Sequence, residues 1–165
     1  LVFETRRSAF VLAREGPNPF IARWIDRVRA LGGIETINRR GPRSLRRIVT
    51  ALRTGAIVGV LIDQDTKVAS VHVPFFGRLA KTPTVAARLA LRHGCPTILA
   101  VMRRRSDDPT RHEMRIERIE GAGTSRDGKA IAQMTALLTS KLEDAIREDP
   151  TEWVWFHRRW KTPPS

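Results

Sequence analysis

Two kinds of hydrophobic pattern alternate along the chain. Short apolar runs are separated by longer segments in which apolar residues recur every three or four positions. The first pattern predicts strands and the second predicts amphipathic helices. The predicted strands are Ser8–Leu12, Ile34–Ile37, Ile57–Ile62, Thr97–Met102 and the edge strand Glu113–Ile119, and the predicted helices are Phe20–Leu31, Leu45–Leu52, Pro83–His93 and Ile131–Ile146. This alternation predicts βαβ crossovers and an α/β fold with a largely parallel central sheet flanked by helices.

The apolar run Ile57–Ile62 stands out because it ends abruptly in the acidic sequence Asp63–Asp65. It is predicted to be a strand buried on both faces, and functional groups of open α/β sheets lie at the carboxyl ends of such strands. Residues Val73–Arg78 are predicted to form a short loop. Thr82 and Pro83 are predicted as the N-cap and first residue of the next helix, whose free N–H groups would form an anion site.

Composition limits the possible partners without choosing among them. The 165 residues suffice for one domain, and residues 1–165 are predicted to form one. Thirty basic against seventeen acidic residues give a net charge of +13, which favours a polyanionic partner such as nucleic acid, a phospholipid surface or a phosphorylated substrate. The single cysteine, Cys95, excludes an internal disulfide, and no apolar stretch is long enough to span a bilayer.

Asp63 and Asp65 are the strongest candidates for chemistry. Two residues apart on an extended chain, they point the same way, with Gln64 on the opposite side. No further ligands for a metal follow at suitable spacing, so a structural or substrate-orienting role is favoured over a metal site. His112 and Glu117 form a His-x-x-x-x-Glu string, but residues five apart on a strand face opposite sides and cannot act as a base with its orienting carboxylate.

The C-terminal sequence Trp153–Lys161 interleaves aromatic and cationic residues. It has two interpretations. In one, the tryptophans dock on the sheet while the arginines stay in water. In the other, the segment anchors the protein at an anionic membrane, because tryptophan beside arginine suits the headgroup region.

Four blocks of this sequence together resemble a known family. They are Arg14 with Asn18–Pro19, then Ile62–Asp65, then Val73–Arg78 with Thr82–Thr84, and finally Trp153–Lys161. In order and spacing they are similar to the bacterial lipid A late acyltransferases, lauroyl and myristoyl transferases of the lysophospholipid acyltransferase superfamily. The resemblance implies a protein at the cytoplasmic face of the bacterial inner membrane. Such a protein moves an acyl chain from acyl carrier protein or acyl-CoA onto a lipid A precursor or other glycolipid, with no further cofactor, no metal and no nucleic acid.

The resemblance also implies roles for individual residues. Arg14 and Asn18 would shape the active-site cleft, Asp63, Gln64 and Asp65 would position the acceptor or loops, and Arg78 would meet a phosphate or the oxyanion. The membrane-interface candidates are Trp155, Arg158, Arg159 and Trp160.

One departure from the family pattern concerns catalysis. The family's catalytic histidine, followed after four residues by Asp or Glu, belongs upstream of the Arg14 block, and these 165 residues do not contain it. The chain is therefore expected to be the C-terminal part of such an enzyme and inactive alone. Two alternatives stay open: a non-catalytic remnant that binds anionic lipid, and a nucleic-acid-binding module suggested only by charge.

Overall fold

A computed structural model of the chain describes residues 7–14, 16–39, 43–120 and 125–164. The chain divides into two compact units, Leu1–Leu61 and Ile62–Ser165, and each is described by itself. The expectation of one domain over residues 1–165 stays a prediction.

The first unit is a small parallel α/β structure. Its elements are β1 (Ala9–Ala13), α1 (Pro19–Leu31), β2 (Ile34–Asn38), α2 (Ser44–Arg53) and β3 (Ile57–Val60). Strand β1 lies between β2 and β3 and pairs in parallel with both. The βαβ crossovers predicted from the alternating patterns are confirmed here.

Strand β3 corrects the prediction for the central apolar run. The strand ends at Val60, so Leu61 and Ile62 lie beyond it, and Leu61 is 72% exposed. None of the four β3 residues is fully buried, and in the described sheet β3 is an edge strand with one neighbour. The acidic residues that follow are therefore carried by a bend rather than by a strand.

The second unit is built from two antiparallel ribbons and two helices. Its elements are β4 (Ser70–Phe75), β5 (Arg78–Pro83), α3 (Val85–His93), β6 (Thr97–Arg104), β7 (His112–Ile119), α4 (Gly128–Glu148) and a 3-10 turn (Pro150–Glu152). Strand β4 pairs with β5, and β6 pairs with β7. Four of the strands in the described residues are thus antiparallel, and the expected largely parallel sheet holds only for the first unit.

Residues Val73–Arg78 form a hairpin, where a loop was predicted. The two turn residues, Phe76 and Gly77, both have positive φ angles, of 50° and 72°. This is the combination that lets a two-residue turn follow the twist of its flanking strands. Pro74 and Gly77 suggested a loop, but Pro74 lies at an exposed position of β4, opposite Leu79.

The start of α3 also differs from the prediction. Thr82 and Pro83 close strand β5, and the helix begins at Val85, after Thr84. Thr82 is therefore not the N-cap, and its hydroxyl donates to the Ala80 carbonyl instead. The anion site predicted at this point loses the geometry on which it was based.

Strands β6 and β7 form a ribbon with one face turned to the helices. Along β6 partly buried and exposed residues alternate, so this strand is covered on one face. Strand β6 is also longer than predicted, since Arg103 and Arg104 belong to it. The prediction of β7 as a strand is confirmed.

Two hydrophobic clusters hold the second unit together. One joins α3, β7 and α4 through Ala87, Ala90, Leu91, Ile119, Met134 and Leu138. The other joins Phe75 and Ala80 of the hairpin to Ile146 of α4, with Phe76, Leu142, Trp153 and Trp160 packed against it. Helix α4 itself follows the prediction, and Asp127 caps it by accepting a hydrogen bond from the Ala130 N–H. Residues 121–124, which precede this helix in the sequence, lie outside the described residues.

Candidate functional site

Residues 63–65 are called the acidic bend, and residues 153–162 the C-terminal segment. Asp65 is the centre of a hydrogen-bond network that joins the two. Its side chain is buried, and Oδ2 accepts a hydrogen bond of 3.1 Å from the Thr162 N–H. Its own N–H donates to Nε2 of His157 at 3.1 Å. Thr162 is held a second time, because its carbonyl accepts from Nε2 of His72 at 3.3 Å. Both ends of the segment 157–162 are thus fixed by residues from the start of the unit.

Asp63 meets the same segment from the other end of the bend. Its Oδ2 accepts a hydrogen bond of 3.3 Å from Nε1 of Trp153, while Oδ1 is buried and has no hydrogen-bond partner among the described residues. Gln64 between the two aspartates is exposed. The strand geometry from which a common direction was predicted is absent here, but both aspartates contact the C-terminal segment.

Arg159 lies in the interior of the unit, only 1% exposed. Nη1 donates to the Lys81 carbonyl and Nη2 to Oγ1 of Thr82, both at 2.6 Å. The guanidinium carbon lies 5.1 Å from the ring centre of Phe75. Burial lowers the pKa of Arg159, against the opposing effect of the charges of Asp63 and Asp65, which raise it.

The burial of Arg159 corrects one sequence prediction. A membrane-interface residue needs a side chain that reaches the surface. The Arg159 side chain instead donates hydrogen bonds to the Lys81 carbonyl and the Thr82 hydroxyl of β5. The first interpretation of the C-terminal segment is also incomplete. The tryptophans Trp153 and Trp160 do dock on the hairpin, but Arg159 does not stay in water.

Aromatic rings fill the space between the hairpin and the C-terminal segment. The ring of Phe75 lies 5.7 Å from that of Trp153 and 5.8 Å from that of Trp160. The exposed Arg78 lies above Trp160, with its guanidinium carbon 5.5 Å from the ring centre. Trp160 is partly buried, so it is a weaker interface candidate than the sequence indicated, and it orients Arg78 instead.

The tip of the C-terminal segment is the part that reaches the surface. Phe156 is 91% exposed, Trp155 is half exposed and Arg158 is exposed. Sequence reasoning did not select Phe156, although it lies within the quoted aromatic block. Trp155 and Arg158 keep their place as interface candidates.

The hairpin turn is fastened by a residue that the sequence did not single out. Glu143 of α4 accepts a hydrogen bond of 2.6 Å from the Phe76 N–H and is paired with Arg147 at 2.7 Å. Burial raises the pKa of Glu143, but the hydrogen bond from Phe76 and the charge of Arg147 outweigh it, so the pKa lies below its usual value. The Arg147 guanidinium also lies 4.7 Å from the ring centre of Phe76.

Arg14 and Asn18 belong to the first unit. Asn18 is the N-cap of α1, and its Oδ1 accepts hydrogen bonds from the N–H groups of Phe20 and Ile21. Arg14 is exposed and directly follows β1, at the edge where the parallel strands end. Their predicted roles in a cleft stay predictions.

Other candidate chemistry does not assemble in the described residues. His112 and Glu117 lie on opposite faces of β7, as their spacing requires, and Glu117 is paired with Lys141 at 2.7 Å. Across residues 7–14, 16–39, 43–120 and 125–164, no three His, Cys, Asp or Glu side chains are placed to hold a metal ion.

Burial raises the pKa of the Cys95 thiol. No helix in the described part of the chain is both long and apolar enough to cross a membrane.

Comparison with known proteins decides the family. The family model for bacterial lipid A biosynthesis acyltransferases matches residues 1–162. The chain belongs to this family. The lipid A biosynthesis palmitoleoyltransferase of Escherichia coli (strain K12) is 30% identical over 126 residues, which cover 75% of this chain and 40% of that protein. The lipid A biosynthesis acyltransferase of Shigella flexneri matches with the same identity and coverage. The matched segment thus spans well under half the length of these relatives, and the resemblance drawn from the four sequence blocks is confirmed.

Proposed function

We propose that this chain is the acceptor-positioning part of an acyltransferase of lipid A biosynthesis. The enzyme transfers a fatty acyl chain from acyl carrier protein or acyl-CoA to a hydroxyl of a lipid A precursor or related lipid. The observation that carries the proposal is the meeting of three family blocks in one network: the acidic bend, the β4–β5 hairpin and the C-terminal segment. Blocks far apart in sequence that share buried hydrogen bonds are suited to shape one binding surface.

Within this network the residues divide into two roles. Asp65 and Arg159 are buried and hydrogen-bonded to the C-terminal segment and to β5 respectively, so their role is to hold the bend and the hairpin in place. Asp63 retains a carboxylate oxygen without a hydrogen-bond partner in the described residues, which suits it to orient an acceptor hydroxyl. Arg78 is exposed and held over Trp160, which suits it to meet a phosphate of the acceptor or the developing oxyanion.

The proton transfer itself requires a group that this chain does not supply. In the family the base is a histidine followed after four residues by Asp or Glu, and it would remove the proton from the acceptor hydroxyl as that hydroxyl attacks the thioester. Within these 165 residues only His112 and Glu117 have that spacing, and they face away from each other. The chain alone is therefore proposed to be inactive.

The proposed place of action is the cytoplasmic face of the inner membrane. Support comes from the exposed tip, where Trp155 and Phe156 stand beside Arg158. Aromatic rings at the level of the headgroups and arginine near lipid phosphate are a favourable combination at an anionic surface.

The experiment compares the complete reading frame that contains these residues with the 165-residue chain. Both are incubated with acyl carrier protein loaded with a fatty acid and with a lipid A precursor, and the product is identified by its mass. We expect acylated product from the complete protein and none from the 165-residue chain. The proposal fails if the complete protein forms no acylated product with either acyl carrier protein or acyl-CoA as donor.

The same tip favours one second candidate, a non-catalytic protein that binds anionic lipid. Vesicle binding by the complete protein, without transfer to any acceptor, would establish this candidate instead. A nucleic-acid-binding function finds no support beyond charge, and a filter-binding assay against DNA and RNA over a range of salt concentrations checks it.

A further inference from the structure

Helix α1 carries an exposed stripe of apolar side chains. Phe20 is 75% exposed, Trp24 66% and Leu31 76%, and these residues follow one another at helical spacing with Ile21 and Val28 beside them. None of the 13 residues of α1 is buried. A surface helix ordinarily buries such a stripe against its own core, so this arrangement is unusual.

Polar side chains join α1 to strand β2. The Thr36 hydroxyl of β2 donates to Oδ1 of Asp26 at 2.6 Å, and Nη1 of Arg29 donates to the Thr36 hydroxyl at 3.1 Å. The same Arg29 forms an ion pair with Asp26 at 3.4 Å. These contacts fix which side of the helix faces β2, and they leave the apolar stripe outside.

The charges beside the stripe are positive. Arg23 and Arg27 are exposed and form no ion pair with any residue in the described ranges, and the guanidinium carbon of Arg23 lies 5.5 Å from the ring centre of Phe20. The single acidic residue of the helix, Asp26, is engaged on the inner side. The outer side of α1 therefore combines large apolar groups with uncompensated cations.

We infer that the outer side of α1 binds the surface of an anionic phospholipid bilayer. The helix is about 20 Å long, and lying in the plane of the membrane it would place Phe20, Trp24 and Leu31 at the acyl boundary. Arg23 and Arg27 would then reach the lipid phosphates. This inference goes beyond the proposed function, because it concerns a different unit and a different surface from the Trp155–Phe156 tip and requires no acyl transfer.

Vesicle flotation of the 165-residue chain tests the inference. Vesicles of phosphatidylglycerol and phosphatidylethanolamine are compared with vesicles of phosphatidylcholine alone, without any lipid A precursor. The double variant Phe20→Ser/Trp24→Ser should weaken binding to the anionic vesicles roughly tenfold or more, since two large apolar groups are removed from the contact. The variant Arg23→Gln/Arg27→Gln should weaken it by roughly fivefold per arginine at low salt and by less at high salt.

A matched control is Leu45→Ser, which removes an exposed leucine from helix α2 and should leave vesicle binding unchanged. Because all the substituted side chains of α1 are exposed, circular dichroism should show the same fold in each variant. The inference is overturned if Phe20→Ser/Trp24→Ser binds vesicles as the parent chain does. It is also overturned if the parent sediments as a dimer that this variant abolishes while vesicle binding persists, since a second copy then covers the stripe.

Discussion

Arg159 donates a hydrogen bond of 2.6 Å to the hydroxyl of Thr82, a residue 77 positions earlier. This bond links the C-terminal segment to the end of strand β5, at a threonine that is itself fully buried. The family's last sequence block is therefore part of the interior that shapes the hairpin. Changes in that block are expected to act on the whole unit.

Removing the Arg159 side-chain charge should destabilise the second unit strongly. Arg159→Met would leave the Lys81 carbonyl and the Thr82 hydroxyl without their donors and would remove a cation that balances Asp63 and Asp65. We expect a loss of about 3 kcal/mol or more in the free energy of unfolding, measured by urea denaturation. The neighbouring Arg158→Met, at an exposed position, should change it by less than about 0.5 kcal/mol. Equal effects of the two substitutions would contradict the interior role.

The two aspartates of the acidic bend should differ in their contribution to stability. Asp65→Asn removes a buried charge whose Oδ2 accepts the Thr162 N–H, and a cost of about 1–3 kcal/mol is expected. Asp63 is only partly buried, so Asp63→Asn removes a better-hydrated charge and should cost less than about 1 kcal/mol. Thermal unfolding of both variants checks the order, and a larger loss at Asp63 would be inconsistent with the network described.

The hairpin turn offers a test with a matched control. Gly77 has a φ of +72° and open space around its Cα, so Gly77→Ala should cost about 1 kcal/mol through backbone strain alone. Gly128 opens α4 without a positive φ and with equally open space. Gly128→Ala should therefore stabilise the protein by up to about 1 kcal/mol. If both substitutions shift the free energy of unfolding in the same direction, the turn geometry is not as described.

The contribution of Glu143 to the free energy of unfolding should depend on pH. Its pKa in the folded protein is lowered, so its contribution is fully present above the pKa of an unfolded glutamate, about 4.3, and is lost as the pH falls through the folded value. The stability difference between the parent and Glu143→Gln should be largest near neutral pH and should shrink on acidification. Urea denaturation at a series of pH values measures it. If the difference in unfolding free energy between the parent and Glu143→Gln is constant across that range, the contacts with Phe76 and Arg147 do not stabilise the charged form of Glu143.

The presence of the helices and the βαβ order of the first unit could be predicted from the sequence because their signals are local. Asn18 followed by Pro19 starts α1, and Asp127 starts α4, where cap and apolar spacing agree. The hairpin could not, because its turn begins with Phe76, an unusual residue at positive φ. What holds Phe76 there is Glu143, 67 residues later, and no local pattern reveals that contact.

Only part of the candidate site could be predicted, because most of its contacts join residues far apart in the sequence. Asp63 and Asp65 were found because a pair of carboxylates after an apolar run is unusual. Their partners Trp153, His157 and Thr162 lie 90 or more residues away, and only the fold brings them together. Arg159 was assigned to the surface because arginine is rarely buried, and its interior position depends on acceptors contributed by β5.

The measurement that tests the account most directly is acyl transfer by the complete protein carrying Asp63→Asn or Asp65→Asn. The account predicts that both variants fold and transfer the acyl chain more slowly. It also predicts that Asp63→Asn raises the KM for the lipid acceptor and leaves the KM for the acyl donor unchanged. Turnover equal to that of the parent in both variants would remove the acidic bend from the mechanism.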